Sequence, residues 1–282
     1  MGLRINTNIA SLNAQKNLSR SQASLERSLD RLSSGLRITR AGDDAAGLAI
    51  SESLRAQIRG LQQAERNAND GISVIQTAEG ALNETGNILI RMRELAIQSA
   101  STGSISDVER SSLNNEFSAL QSEITRIALA TKFGGSTLLD GSLSGTGNAL
   151  DFQVGIFNVA SVDRISLTIG DATASGLGID AGAASISTSS GAQNALATID
   201  SAIASVSRLR GDLGAAQNRL QSTINNLQAS TENLSAANSR IRDADVAAET
   251  AALTRAQVLQ QAGIAVLAQA NVSSQAALTL LR

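Results

Sequence analysis

The sequence predicts a mainly α-helical protein in which long antiparallel helices pack as a coiled coil or bundle, with a small antiparallel β-hairpin region. Apolar residues recur at alternating spacings of three and four over long stretches, which is typical of helices that pack side by side. Proline, the commonest helix breaker, is absent from all 282 residues. Aromatic residues make up 1% of the chain. The core must therefore be built from Leu, Ile, Val and Ala, which suit a narrow helix–helix seam.

The first predicted element, residues 1–43, contains a seam helix whose polar face is rich in arginine. That face is either solvated or a basic strip that meets an acidic or carbonyl-lined partner surface. Gly35 suits a helix C-cap, and Asp43 and Asp44 suit the N-cap of a following helix, so the element ends there. The apolar seam residues lie seven, four, three and four apart: Leu18, Leu25, Leu29, Leu32 and Leu36.

Two more helices are predicted at 44–100 and 106–131. In the first, apolar residues fall seven apart from Leu54 to Ala96, which predicts a long rod-like helix. The second begins where Ser106 and Glu109 match a capping box. Together with the helix in 1–43, these two make three helices in this part of the chain, and a bundle is the expected arrangement.

The apolar period changes from 3.5 to 2 after the second of these helices. Residues 134–170 alternate around Phe152 and Ile165 between Gly-rich separators, which predicts a small antiparallel β region. Residues 171–190 are small and show no period, so we expect a short, variable surface loop or linker.

The longest uninterrupted pattern lies in the predicted helix 191–239. At about 1.5 Å per residue, the stretch from Leu196 to Ile241 forms a helix of roughly 70 Å that needs partner helices. One row of this stretch contains no polar member: Ile199, Val206, Leu213, Leu220, Leu227, Leu234 and Ile241.

The last element, residues 240–282, has a seam diluted by Ala, Gln and Asn. Such a helix is marginal alone and needs another surface to pack on. Its seam residues include Leu253, Ile264, Leu267, Leu278 and Leu281.

The composition argues against most enzymatic chemistry. With no His and no Cys, the chain has no Ser-His-Asp triad, no Cys nucleophile and no His-ligated zinc. The Asp43-Asp44 pair is better explained by helix capping than by a cation. No glycine-rich nucleotide motif is present, so we expect no cofactor and no metal. The net charge of -2 and the scarcity of Lys give no support for nucleic-acid binding.

Two further absences concern membranes and export. No run of 18 apolar residues is present, so we expect no membrane insertion. The N-terminal segment shows no secretory h-region, which leaves a cytosolic protein or one exported by a non-Sec route.

Both ends of the chain resemble bacterial flagellins, the subunits of the flagellar filament. The resemblance is carried by RINTNIASLNAQKNL at 4–18, RLSSGLRITRAGDDAAGLAIS at 31–51, IRMRELAIQSA at 90–100 and SRIRDADVAAETAALTRAQVLQQAGIAVLAQAN at 239–271. It covers nearly all of the predicted helical chain.

The resemblance implies an inner coiled-coil domain made from 1–43 and 240–282, and a rod domain at 44–239. It also implies a structural subunit, not an enzyme, that polymerises head-to-tail into an extracellular filament used for swimming motility. The implied partners are further copies of the chain, an export chaperone, and the cap and hook–filament junction proteins. Export would be unfolded, through the filament channel, by the flagellar type III route.

Flagellins of this type are also detected by Toll-like receptor 5, so the resemblance implies a receptor-recognition surface. The positions that match are Arg91, Leu95 and Glu116, with Arg93, Glu94, Ile97 and Gln98 around them. From the residues alone, Leu95 and Ile97 could equally be packing residues and the charges a solvated helix face. Met92 stands where a small aliphatic residue is common in the family.

Two other classes of protein remain as alternatives. A hook–filament junction protein shares the terminal pattern but does not polymerise indefinitely. A soluble coiled-coil adaptor would explain the heptads, although not why the most strongly patterned segments lie at the two ends of the chain.

Overall fold

The computed structural model describes residues 7–103, 105–145 and 147–279, with the side chains of 273–279 excepted. The predicted fold class is confirmed, because long helices dominate and pair antiparallel, and the strands form two small antiparallel hairpins. The elements are α1 (Ile9–Ser34), α2 (Ala45–Ala100), α3 (Asp107–Ala130), β1 (Lys132–Phe133), β2 (Ser136–Thr137), β3 (Leu150–Gln153), α4 (Ala160–Asp163), β4 (Arg164–Leu167), α5 (Ser189–Arg242) and α6 (Val246–Thr279). In the described ranges, no helix combines the length and apolarity needed to cross a membrane.

The chain divides into two compact units. The first combines residues 1–58 with 232–282, and the second comprises residues 59–231. The expected division at 43/44 and 239/240 concerns how the helices pack in an assembly, and it stays a prediction.

The second unit contains the apolar core. In α5, the apolar residues that lie seven apart are buried from Ile199 to Leu227. In α2, the apolar residues that lie seven apart are buried from Leu61 to Ala96. Phe117 and Ile124 of α3 close the core from a third side. The predicted capping box is confirmed at the start of α3, where the Glu109 amide donates to Ser106 Oγ and the Ser106 amide donates to Glu109 Oε2.

The two hairpins use different turns. β1 and β2 are joined by Gly134 and Gly135 at φ values of 57° and 91°, which suits a two-residue hairpin that needs left-handed backbone. β3 pairs with β4 over four residues, from Leu150 opposite Leu167 to Gln153 opposite Arg164. Val154, Ile156 and Ile169 continue the predicted alternation but lie outside these two strands.

The segment 171–190 is not the free surface loop that its composition predicts. Ala172, Ile179, Ala184 and Ile186 are buried and belong to the core. Side chains of the long helices bind its main chain: buried Gln121 donates to the carbonyls of Ile179 (2.6 Å) and Ala184 (2.9 Å). Because these bonds satisfy the segment's polar backbone, the segment can be buried without regular structure.

The first unit contains α1 and α6, the start of α2 and the end of α5. Residues 35–44, here called the strap, connect α1 to α2. Asp44 accepts from the Gly47 amide at 2.9 Å, which confirms its predicted role as the N-cap of α2. Ile38 of the strap is almost fully buried and lies where a Cβ on Gly47 would stand.

Candidate assembly and recognition surfaces

Helices α1 and α6 pack against each other in antiparallel orientation. Asn8 Nδ2 donates to the Ala270 carbonyl at 2.9 Å, near one end of the pair. Gln260 donates to Gln22 at 2.5 Å in the middle, and Arg31 approaches Glu249 to 3.7 Å at the other end. In these three contacts the residue number in α6 falls as the residue number in α1 rises, so the two helices keep one register along the pair.

Small residues are the most deeply buried of the described residues of α1 and α6. Ala14 and Ser28 of α1 and Ala256 and Ala270 of α6 are the buried ones. A Cβ on Gly263 would lie 3.3 Å from Leu18 Cδ1, so the helices approach closely at this point. The signal was present in the sequence as small residues seven apart: Ala14, Ser21 and Ser28 in α1, and Ala256, Gly263 and Ala270 in α6.

Among the predicted seam residues, Leu18 lies beside this contact, 3.3 Å from the Cβ position of Gly263. Most of those described are half-buried: Leu18, Leu25, Leu32, Leu36, Leu253 and Leu267. Leu29 and Ile264 are exposed, at 47% and 54%. The side chain of Leu278 and the whole of Leu281 lie outside the described residues.

Large apolar side chains remain exposed on both helices. In α6 they occur on more than one face, since Val258 and Leu259 are adjacent in sequence and both exposed. A helix that is apolar around its circumference is normally buried inside a larger assembly. The exposed set is Ile9, Leu12 and Leu29 in α1, and Val246, Val258, Leu259, Ile264, Val266 and Val272 in α6.

The expected receptor-recognition residues form a charged surface on α2 and α3, except for one. Arg91 donates to Glu116 of α3 at 2.9 Å and to Glu94 at 3.0 Å. Leu95 is only 1% exposed and lies in the core. The remaining positions are exposed: Arg91, Arg93, Glu94, Ile97, Gln98 and Glu116.

Asp200 of α5 joins this surface and was not identified from the sequence. It accepts from Arg93 Nε at 2.8 Å. A partner 107 residues away leaves no local signal. The hydrogen bond to Glu116 raises the pKa of the Arg91 guanidinium, and the bond to Glu94 adds to that shift. The two carboxylates therefore orient the Arg91 guanidinium across α2 and α3.

A buried arginine holds the turn next to this surface. Arg110 donates to the carbonyls of Ser99 (3.0 Å) and Ser101 (3.2 Å) and to the Asp107 carboxylate (2.8 Å). Ser99 lies in the last turn of α2, where carbonyls have no partner within the helix, and Ser101 follows that turn. Arg110 therefore sets where α3 begins relative to the end of α2.

Metal binding has no support in the described residues. They contain no group of three or more carboxylates placed to hold a metal ion. Asp43 was predicted, with Asp44, to cap α2, but its carboxylate instead accepts from the Thr39 hydroxyl and from the amides of Thr39 and Arg40, within the strap itself. The main-chain bond from Arg40 is the chief reason that the pKa of Asp43 lies below its ordinary value.

Comparisons with known proteins match nearly the whole chain. Residues 5–144 match the family model of the bacterial flagellin N-terminal helical region, and residues 196–281 match that of the C-terminal helical region. The chain is 48% identical to a flagellin of Halalkalibacterium halodurans over 278 residues, covering 99% of both chains. It is 46% identical to a flagellin of Bacillus subtilis over 307 residues, covering 99% of this chain and 100% of that one.

A solved structure described as a putative flagellar hook-associated protein from Vibrio parahaemolyticus is also similar. It aligns with a TM-score of 0.58 at 15% identity, covering 71% of this chain and 100% of that one. At that identity the likeness concerns the fold alone.

Proposed function

The chain belongs to the bacterial flagellin family, whose members are structural subunits of the extracellular flagellar filament and not enzymes, and we propose that it polymerises head-to-tail through α1 and α6. Head-to-tail contacts between identical subunits do not close on themselves and so produce an open helical polymer. Residues 1–43 and 240–282 would form the inner domain of that polymer, and 44–239 its rod domain.

The single observation that carries this proposal is the set of exposed apolar side chains on α1 and α6. Full burial of one aliphatic side chain stabilises an assembly by about 1.5–3 kcal/mol. The described side chains of the two helices include nine such exposed residues, and those that are fully buried are small, so a large apolar surface is left for neighbouring subunits to cover.

The test is seeded growth of purified full-length protein, followed by electron microscopy. Leu259→Ser on α6 should raise the critical concentration for growth by roughly tenfold or more, because buried apolar area is lost. Leu129→Ser on α3 is the matched control, since the two leucines are 53% and 50% exposed. Equal effects of both substitutions would refute the assignment of the growth surface to α6.

The same experiment separates the filament subunit from a hook–filament junction protein. Long tubes from the full chain, and none from a variant truncated after Ser239, would support the filament subunit. Short rings that do not lengthen in the presence of seeds would favour the junction protein.

The proposal extends to export and partners. The chain would leave the cell unfolded by the flagellar type III route, assisted by an export chaperone, and fold beneath the cap protein. The lack of Pro and Cys supports this, because slow X-Pro isomerisation and disulfide formation cannot delay folding at the growing end. A refolding phase of tens of seconds in the purified chain would count against it.

The charged surface on α2 and α3 supports recognition by Toll-like receptor 5. Arg91 and Glu116 would contact the receptor, while buried Leu95 would hold α2 in place and make no contact itself. In a receptor reporter assay, Arg91→Ala should lower potency by about tenfold or more if Arg91 is a hot spot. Arg126→Ala, which removes another exposed and paired arginine on α3, should have little effect. Equal potency of the two variants would contradict the assignment.

A further inference from the structure

The strap after α1 is hydrogen-bonded to the junction between α5 and α6. Gly35 ends α1 at a φ of 71°, and its carbonyl accepts from the Ala244 amide at 2.9 Å. The Arg37 amide donates to the Arg242 carbonyl at 2.6 Å. The strap after α1 and the connection between α5 and α6 are thus joined by main-chain hydrogen bonds of the antiparallel β type.

The side chain of Arg37 caps α5. Its Nε and Nη2 donate to the Ile241 carbonyl at 3.2 and 2.6 Å. Carbonyls in the last turn of a helix have no partner within the helix, and the partial negative charge there favours a cation. Arg37 therefore connects the start of the strap to the end of α5 through both its backbone and its side chain.

A second arginine connects α1 directly to α6. Arg31 lies in the last turn of α1 and approaches Glu249 in the first turn of α6 to 3.7 Å. Their side chains are 30% and 15% exposed, so this ion pair is partly shielded from solvent. We call the contacts of 35–37 with 241–244, together with the Arg31–Glu249 pair, the clasp.

The contact line between α1 and α6 does not specify its own register well. Its small residues repeat every seven positions on both helices, so a shift by one heptad places Ala, Ser and Gly against Ala, Ser and Gly again. In helix pairs of this kind, polar residues commonly decide the register. The clasp supplies such polar contacts at one end of the pair.

We propose that the clasp sets the register of α1 against α6, with Arg31 and Arg37 as its positioning residues. This inference rests on the proposed function, because a shift of seven residues would move the exposed apolar side chains of the two helices by about 10 Å relative to each other. A polymerising surface built from both helices requires one fixed offset between them.

Pairs of introduced cysteines can measure this register, since the chain has none of its own. Gln22→Cys with Gln260→Cys reports the register of the structure, in which these side chains are hydrogen-bonded. Gln15→Cys or Leu29→Cys with Gln260→Cys reports a shift of one heptad in either direction. After mild oxidation, a denaturing gel separates crosslinks within one chain from those between chains, in filaments and in soluble protein alike.

Without further substitution, only the Gln22 pair should give the crosslink within one chain. In Arg31→Ala/Arg37→Ala its yield should fall by about tenfold relative to the shifted pairs, as expected when charge-assisted hydrogen bonds are lost. Arg31→Lys/Arg37→Lys should recover part of the yield by restoring the cations. Arg20→Ala/Arg27→Ala is the matched control, because it also removes two positive charges from the N-terminal part of the chain, and the hydrogen bonds of Arg27 run to Ala23 and Ser24 of its own helix.

An unchanged pattern in Arg31→Ala/Arg37→Ala would overturn the inference, and so would an equal change in the control pair. Failure of the unsubstituted chain to form filaments would count against the proposed function only, since the crosslinks in soluble protein still measure the register.

Discussion

The second unit and the α1–α6 pair are both built from long helices with seven-residue repeats, yet they enclose different residues. The second unit fully buries large side chains, including Phe117, Leu82, Leu89 and Ile124. Where its side chains are described, the α1–α6 pair fully buries Ala and Ser and leaves nine large apolar side chains exposed. Since hydrophobic stabilisation scales with the apolar area buried, the second unit gains more of it within one chain than the α1–α6 pair does. A heptad repeat thus predicts that a helix packs along one face, without showing whether the packing residues come from the same chain or from a neighbouring subunit.

The sharpest test of this contrast removes one large side chain from each region. Phe117→Ala should lower the free energy of unfolding of the second unit by about 3–5 kcal/mol, because it leaves a cavity in a fully enclosed core. Leu29→Ala in α1 should change it by no more than about 0.5 kcal/mol in the soluble subunit. Denaturant unfolding followed by circular dichroism measures both. Similar losses would mean that the two regions are equally well packed.

A smaller effect is expected where the core is held by hydrogen bonds. Gln121→Leu leaves the carbonyls of Ile179 and Ala184 without their donor and should cost about 1–3 kcal/mol. Hydrogen exchange should show faster exchange within 171–190. Gln62→Leu, at an exposed position of α2, is the control and should be close to neutral. No change on substitution of Gln121 would mean that the segment is buried without need of this side chain.

The close approach of α1 and α6 can be tested at Gly263. Gly263→Val should leave the soluble subunit within about 1 kcal/mol of its original stability, because a better helix former offsets part of the crowding against Leu18. It should nevertheless block seeded growth, since the two helices must separate to admit the side chain. Gly80→Val, whose Cβ meets open space, serves as control. Normal growth of the Gly263 variant would show that the spacing of this pair is not critical.

Acid should weaken the strap before it weakens the apolar core. The hydrogen bond from Arg242 is the chief cause of the lowered pKa of Glu52. The hydrogen bond from the Arg40 amide is the chief cause of the lowered pKa of Asp43. Carboxylates with a lowered pKa contribute stability above their unfolded pKa of about 4 and lose it as the pH falls through their folded values. The Thr39 and Arg40 amides should lose protection from hydrogen exchange at acid pH, while those around Leu89 keep theirs.

Between about pH 6 and 9 no such change is expected, because the carboxylates stay ionised and the chain has no His or Cys. Loss of protection of the strap amides within that range would contradict the explanation.

Much of the fold followed from local patterns. The period of 3.5 predicted α2, α3 and α5 to within a few residues, since each of these helices repeats an apolar residue at that spacing. Caps at Asp44 and Ser106 were predicted because capping involves residues three apart in the chain. The burial of 171–190 could not be predicted in this way, since its hydrogen-bond donors lie about sixty residues away and its own residues have no period.

The candidate surfaces were likewise predicted only in part from the sequence. Their position in the chain was predicted, but the burial of Leu95, the participation of Asp200 and the small-residue contact line of α1 and α6 emerged only from the structure.

The sequence by itself determined that the chain is helical, where its long helices run, and that it carries no His or Cys chemistry, because composition and periodicity are properties of neighbouring residues. Only the tertiary structure decided which apolar repeats pack within the chain itself and which remain exposed. It also decided which arginines join separate helices, because those outcomes depend on contacts between residues as much as 262 positions apart.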